Sequence, residues 1–315
     1  LKDLAPIILF VYNRPEHTAR TLAALHKNKL ADKSILYIFC DGPKADASNE
    51  QLDKIKQVRK VCHAQQWCGE VKIMESDANK GLANSIIAGV TQIVNLHGKA
   101  IVLEDDIETN IGFLEYMNHG LQVYENEHQV GGISSHSFTN HVELDDFYFL
   151  PITSSWGWAT WKRVWDNINF NTSEISKAVK ENSNFKHFNF GNYPYFEMLE
   201  SQSKGLIDSW AIRFYANFFI QNKWFLFPRL AFSNNVGFDN SGTHCDDNNY
   251  FALQINIETK PAVKIEVEIK ENNLNLIQNF FKDQIKKMNS TKKQSANGLN
   301  WFKHKIKKTF GMLKG

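Results

Sequence analysis

The 315 residues are 43% hydrophobic, enough for one large α/β domain or two closely packed smaller ones, and the 7 prolines and 17 glycines are too few for a linker-dominated or disordered chain. The net charge of +2 conceals an asymmetry: residues 282–315 hold ten lysines against one acid, Asp283, which leaves the rest mildly acidic. Neither RNP-type aromatics nor a basic recognition helix is visible, so no nucleic-acid partner is expected, and no apolar run approaches the roughly 18 residues of a membrane span.

Pro6–Val11 is a continuous apolar run, a buried strand ended by Asn13, Arg14 and Pro15, and the periodic Thr18, Leu22 and Leu25 predict a helix behind it. Ser34–Cys40 repeats the form and stops at Asp41 and Gly42, with a lysine-rich helix following over about 48–64. Val71–Glu75 is a third strand before a helix over Leu82–Leu96, and Lys99–Leu103 is a fourth, ending on Glu104, Asp105 and Asp106. Strands alternating with helices imply a parallel sheet covered on both faces, whose ligands collect at the carboxyl ends of the strands. Those ends present Arg14, Asp41, Asp77, Asn79, Lys80 and the three acids. No GxGxxG follows the first strand and no GxxxxGK[ST] occurs, so a dinucleotide-binding dehydrogenase or a P-loop enzyme fits poorly.

Three acids crowded at a strand end repel one another, and Mg²⁺ or Mn²⁺ is the usual remedy; an acidic helix N-terminus is the plainer reading. Beyond Gly112 the pattern turns mixed, with helices over about Phe113–Glu127, Ala159–Val164 and Trp210–Phe219 and a strand at Trp224–Phe232. Trp158, Trp161 and Trp165, spaced by three and four, read as one buried helical face, which leaves Trp156 beside Gly157 as the better ring for stacking on a sugar. Asp208, just ahead of an apolar helix, is either an N-cap or a catalytic carboxylate. Ala262–Lys270 alternates like a half-exposed strand, and 289–297 is polar and linker-like.

In the tail, Leu299, Phe302, Ile306, Phe310 and Leu313 form a helical stripe among Lys303, Lys305, Lys307 and Lys308, suited to an anionic membrane surface; a helix docked on the body is the alternative. Cys40, Cys62, Cys68 and Cys245 show no CxxC or zinc spacing and read as thiols, although export would allow a Cys62–Cys68 disulfide. No secretory signal stands at Leu1–Pro6.

The run IVLEDDIETNIGFLEYM resembles the Glu-Asp-Asp segment of N-acetylglucosaminyltransferase I, and PIILFVYNRPEHTARTL with Asn79-Lys80-Gly81 resembles family 2 and related GT-A glycosyltransferases, over about residues 5–245. The resemblance implies a GT-A α/β fold: a Rossmann-like, mostly parallel central sheet flanked by helices, with a mixed acceptor-side half, to which the tail stripe adds a C-terminal amphipathic helix. Residues 1–107 would form the nucleotide-sugar half, 108–288 the acceptor half and 289–315 a basic linker and tail. It implies inverting transfer from a UDP-sugar, N-acetylhexosamine donors included, to a carbohydrate or lipid-linked glycan. The setting would be surface polysaccharide or lipooligosaccharide synthesis, cytoplasmic and peripheral on the inner face of the membrane.

By the same resemblance Asp106 contacts Mn²⁺ or Mg²⁺, Glu104 and Asp105 lie against ribose and donor sugar, Arg14 approaches the diphosphate and Asp41 sits near the base. Asp208-Ser209-Trp210 resembles an acid-acid-tryptophan motif whose first acid is the catalytic base, with Ser209 in place of the second acid, and the Gly157 turn borders the donor sugar. Phe232–Cys245 resembles a loop that orders over the donor, with Ser241, Thr243 and His244 available to the diphosphate. Two other readings stay open. A sugar nucleotidyltransferase would normally carry a Gly-rich loop where Asn13-Arg14-Pro15 stands, and a non-catalytic carbohydrate-binding protein would need neither Asp208 nor the acids.

Overall fold

The computed structural model describes residues 3–237 and 262–294. Its first half alternates as the apolar runs dictate: β1 (Ile7–Val11), α1 (Pro15–His26), β2 (Ile35–Cys40), α2 (Asn49–Cys62), β3 (Glu70–Glu75), α3 (Leu82–His97) and β4 (Lys99–Glu104). All five residues of β1 and the four central ones of β4 are buried, as strands covered on both faces must be, whereas β3 at the sheet edge is only half-covered. The second half adds β5 (Ile107–Thr109), α4 (Phe113–Val123), β6 (Val130–Ser134), β7 (Phe147–Leu150), β8 (Trp158–Trp161), α5 (Lys162–Trp165), α6 (Thr172–Glu181), α7 (Tyr195–Ser203), α8 (Trp210–Ile220), β9 (Trp224–Pro228), β10 (Ser233–Asn235) and α9 (Glu271–Gln294).

Eight strands form one sheet in the order β3-β2-β1-β4-β8-β6-β9-β7, mostly parallel, with only β8 and β7 reversed. This is the expected mixed α/β architecture, a largely parallel central sheet flanked by helices. From β1 the chain proceeds outward through β2 to β3, then returns through α3 to place β4 on the other side of β1. The loops leaving β1 and β4 therefore diverge and open a crevice between them. Away from the main sheet, β5 pairs antiparallel with β10, tying the segment after β4 to residues 233–235.

Several local expectations are corrected. The segment expected as a helix near Ala159–Val164 begins as β8, and only Lys162–Trp165 is helical. Trp158 and Trp161 are buried as core residues, but on opposite faces of a strand: Trp158 packs on Trp165 and Trp210, while the Trp161 indole donates to the Leu121 carbonyl of α4. With both faces covered, hydrophobic spacing no longer separates strand from helix. The strand expected over Trp224–Phe232 stops at Pro228.

Ala262–Lys270 joins no ladder. From Lys264 on it alternates, with Lys264, Glu266 and Glu268 exposed and Ile265, Val267 and Ile269 half-buried, while Val263 is exposed; side chains of α4 and of Tyr124 just after it hold the segment: the Ile265 N–H donates to the Tyr124 hydroxyl at 2.9 Å, and the His119 ring meets the Ala262 carbonyl at 2.7 Å. The polar stretch expected as a linker from 289 is still helix through Gln294, the end of α9. That helix buries Ile277 and Phe281 and packs against residues 190–192. Cys40, Cys62 and Cys68 are free thiols, as read from their spacing, and Cys62 lies 3.8 Å from Cys40. Cys245 and the tail stripe 299–313 lie outside the described residues, and among the described residues no helix is long and apolar enough to cross a membrane.

Candidate active site

Pro15 starts α1, where its missing N–H costs nothing, and Arg14 occupies the cap position without using its side chain there. The guanidinium instead reaches across the crevice to the end of β4. Its Nη2 bonds Asp105 Oδ1 and also donates to Asp106 Oδ2 at 2.8 Å, while Nε reaches Asp105 Oδ2 at 3.4 Å. The acid backbone is fixed from two sides: the Thr21 hydroxyl of α1 donates to the Asp105 carbonyl at 2.8 Å, and the Val236 N–H donates to the Asp106 carbonyl at 2.9 Å. Gly237 follows directly, and a side chain there would overlap the Asp106 carboxylate, so the chain after β10 closes tightly on the acids.

One arginine faces three carboxylates. Burial, then Asp106 and Asp105, push the Glu104 carboxyl up to about 8. Burial likewise lifts Asp105, against the downward pull of Arg14. Burial alone would lower the Arg14 pKa, yet Asp105 and Asp106 hold it above the ordinary arginine value. Asp105 has both oxygens engaged by Arg14, whereas Asp106 Oδ1 and the Glu104 carboxyl have no hydrogen-bond partner among the described residues. The cluster thus holds more carboxylates than the Arg14 guanidinium can pair, and Asp106 keeps Oδ1 outside that pairing.

The second polar strand end is organised differently. The Asp41 carboxylate accepts from the N–H groups of Gly42, Lys80 and Gly81 and from the Asn79 side chain, all between 2.9 and 3.1 Å. Asp41 and Asn79 therefore build the turn that leads into α3, while the side chains of Asp77 and Lys80 are exposed. Sequence reasoning put these four with the ligand-binding groups. The structure brings Asp41, Asn79, Lys80 and Gly81 together, but it commits Asp41 to the loop.

Trp156 and Gly157 are placed by contacts that the sequence did not signal. Gly157 adopts a φ of +79°, a left-handed turn that suits glycine. The Ser135 N–H donates to the Gly157 carbonyl at 2.9 Å, the Ser233 hydroxyl of β10 donates to the Trp156 carbonyl at 2.8 Å, and the two serine hydroxyls meet at 2.5 Å. Because β10 is also paired with β5, the Trp156 turn is coupled to the strand that follows Asp106.

Asp208 stands at the same edge of the sheet. Trp210 opens α8 and stacks on Trp158 at 5.2 Å, and Trp158 pairs with Val102 near the carboxyl end of β4. The N-cap of α8 is Ser209, whose hydroxyl accepts from the Ile212 N–H, so the capping role considered for Asp208 belongs to its neighbour. Asp208 is largely exposed and pairs with the mostly buried Arg213 at 3.0 Å, while Arg213 Nε donates to the Ser209 carbonyl at 3.1 Å. Ser241, Thr243 and His244 lie outside the described residues.

Many solved structures resemble this fold in part, and three of them illustrate it. They are S. aureus TarS (12% identity, TM-score 0.38, 73% of this chain and 36% of that chain), the galactosyltransferase LgtC in complex with donor and acceptor sugar analogs (10%, 0.34, 68% and 70%), and UDP-glucose pyrophosphorylase complexed with UDP-glucose (11%, 0.35, 71% and 90%). The chain spans about a third of the length of the TarS structures it is similar to. No family model and no curated protein matches the sequence.

Proposed function

We propose that this chain is a GT-A-type glycosyltransferase that moves a sugar from a nucleotide diphosphate donor, a UDP-sugar in our reading, to a carbohydrate acceptor with inversion. The observation that carries the reading is the crevice between β1 and β4, where Arg14, Asp105, Asp106 and Glu104 meet beneath residues 233–237. A cationic fork beside crowded carboxylates at a topological switch point suits a diphosphate and the ribose next to it. Incubation with a panel of nucleotide sugars and Mn²⁺ should release UDP slowly from UDP-sugars without acceptor. Formation of UTP when pyrophosphate is added would instead identify a nucleotidyltransferase, and no turnover of any nucleotide sugar would end the proposal.

In this reading the site also takes a divalent cation. Among the described residues no three His, Cys, Asp or Glu side chains are arranged to hold a metal by themselves. Asp106 would therefore hold Mn²⁺ or Mg²⁺ through its uncommitted oxygen, with donor phosphates and water as the other ligands, as is common for Mg²⁺. Bound there, the cation would neutralise charge growing on the leaving diphosphate. Arg14 keeps Asp105 and Asp106 oriented, and the β10 segment restricts water at the reacting centre.

Asp208 is the base in this reading, accepting the proton of the attacking hydroxyl, with Arg213 holding its carboxylate at the head of α8. Asp208→Asn should keep donor affinity within a few-fold while lowering turnover by roughly 10² to 10⁴. Unchanged turnover would leave Asp208 only its ion pair with Arg213. The basic tail is proposed to hold the enzyme on anionic membranes beside a lipid-linked acceptor. Removal of residues 298–315 should abolish binding to phosphatidylserine liposomes at low salt and spare donor hydrolysis, and an intact protein that ignores such liposomes would refute this.

A further inference from the structure

His136 follows β6, whose carboxyl end lies on the same sheet edge as that of β4. It is 2% exposed, and among the described residues neither ring nitrogen has a hydrogen-bond partner. Buried polar groups are nearly always paired, so an imidazole left open on both nitrogens calls for an explanation. Its backbone does not drift: the N–H donates to the Ser134 hydroxyl at 3.1 Å, and that hydroxyl donates to the His136 carbonyl at 3.2 Å. Behind the ring stands Phe138, at 5.4 Å, itself packed on Phe227 and on Phe281 of α9. In front, edge-on at 4.4 Å, stands the half-buried indole of Trp156.

Burial pushes the His136 imidazole down to about 3, so at neutral pH it is uncharged, with one nitrogen able to donate and the other to accept. A pyranose presents the matching chemistry: hydroxyls that both donate and accept, and an apolar face that an indole can cover. β6 is two strand spacings from β4, on the order of 10 Å, within one sugar residue's reach of the acid cluster. Ser135, the neighbour of His136, and Ser233 of β10 both donate to the Trp156 carbonyl, so the backbone of this turn is held beside His136.

We propose that His136 is a sugar-recognition residue, forming with Trp156 a pyranose subsite in which the indole turns from its seat on His136 to stack on the sugar and the imidazole bonds its hydroxyls. The assignment rests on the nucleotide-sugar reading for its place beside the donor. It is tested on the full chain with His136→Phe, which keeps an aromatic ring, and His136→Gln, which keeps donor and acceptor atoms. UDP, UDP-glucose and UDP-N-acetylglucosamine are titrated calorimetrically with Mn²⁺, and methyl glucoside and methyl N-acetylglucosaminide by tryptophan fluorescence.

UDP affinity should stay within about twofold. His136→Phe should weaken a sugar-bearing ligand by roughly five- to tenfold, the worth of one or two neutral hydrogen bonds, and His136→Gln should lose less. A loss confined to UDP-sugars assigns the subsite to the donor, and a loss confined to the glycosides assigns it to the acceptor. Should His136→Phe not fold, Trp156→Leu replaces it with the same readouts. If wild-type protein binds glycosides in a His136-dependent way but not UDP, the nucleotide-sugar reading fails and the subsite stands. A folded His136→Phe protein that binds every ligand as the wild type does, or a wild type that binds no sugar ligand, overturns the proposal.

Discussion

Asp106→Ala is expected to lower sugar transfer by roughly 10² to 10³-fold or more and to weaken UDP binding in Mn²⁺ sharply, while leaving the folded protein at least as stable as the wild type. The two halves of this expectation come from the same geometry. Asp106 shares Arg14 with Asp105, and its charge is one of the influences that raise Glu104 and Asp105. Removing it takes one carboxylate out of an overcrowded acid cluster and leaves Asp105 both of its bonds to Arg14. A loss of activity with a preserved or raised Tm therefore separates a functional carboxylate from a structural one. Full activity in excess EDTA, or an Asp106→Ala protein that transfers sugar normally, would remove Asp106 from the site.

The opposite balance is expected for Arg14→Met. The Arg14 side chain is 16% exposed and those of Asp105 and Asp106 are 7% and 8%. Deleting the cation leaves three acids to face one another in a desolvated crevice, and breaking a buried pair in this way typically costs about 3–5 kcal/mol. For a chain of this size that corresponds to a Tm lower by about 5–10 °C. Arg14→Lys should lose less stability, because it restores charge without the planar fork that spans two carboxylates. Added Mn²⁺ should recover part of the loss in Arg14→Met, with Mn²⁺-dependent Tm shifts as the measurement. An Arg14→Met protein that melts with the wild type at neutral pH would show that the acids do not depend on this cation.

How the acid cluster came to be legible, and its surroundings not, follows from which interactions are local. Glu104, Asp105 and Asp106 end a continuous apolar run, and Arg14 ends another; that pattern alone places them at the carboxyl edge of a parallel sheet. The strands β1 to β4 and their helices were readable for the same reason, since each apolar run or helical stripe lies in consecutive residues. The ion pair between Arg14 and the acids spans more than ninety positions and depends on β1 and β4 becoming neighbours, which no local pattern encodes.

Where several elements cover one segment, periodicity lost its meaning. Trp158 and Trp161 satisfy a helical spacing, yet they lie on a strand because α8 and α4 bury opposite faces of it. Ala262–Lys270 alternates as a strand would, yet Tyr124 and His119 supply its partners in place of a neighbouring strand. α9 was unreadable because its buried side, Asn273, Ile277, Phe281 and Gln284, is a sparse stripe in a polar helix that gains its value only against Phe138 and residues 190–192. The surroundings of His136 belong wholly to this second class. A lone histidine in Ser134-Ser135-His136-Ser137 carries no signal, and only the sheet order, which sets β6 beside β8 and brings Trp156 edge-on against the ring, gives it a chemical environment. The sequence by itself determined a parallel α/β core with an acid cluster and an arginine at one edge, because strand formation and strand ends are local. The tertiary structure decided which charges pair, which face of each aromatic strand is covered and which polar groups stay open, because those outcomes depend on contacts between segments far apart in the chain.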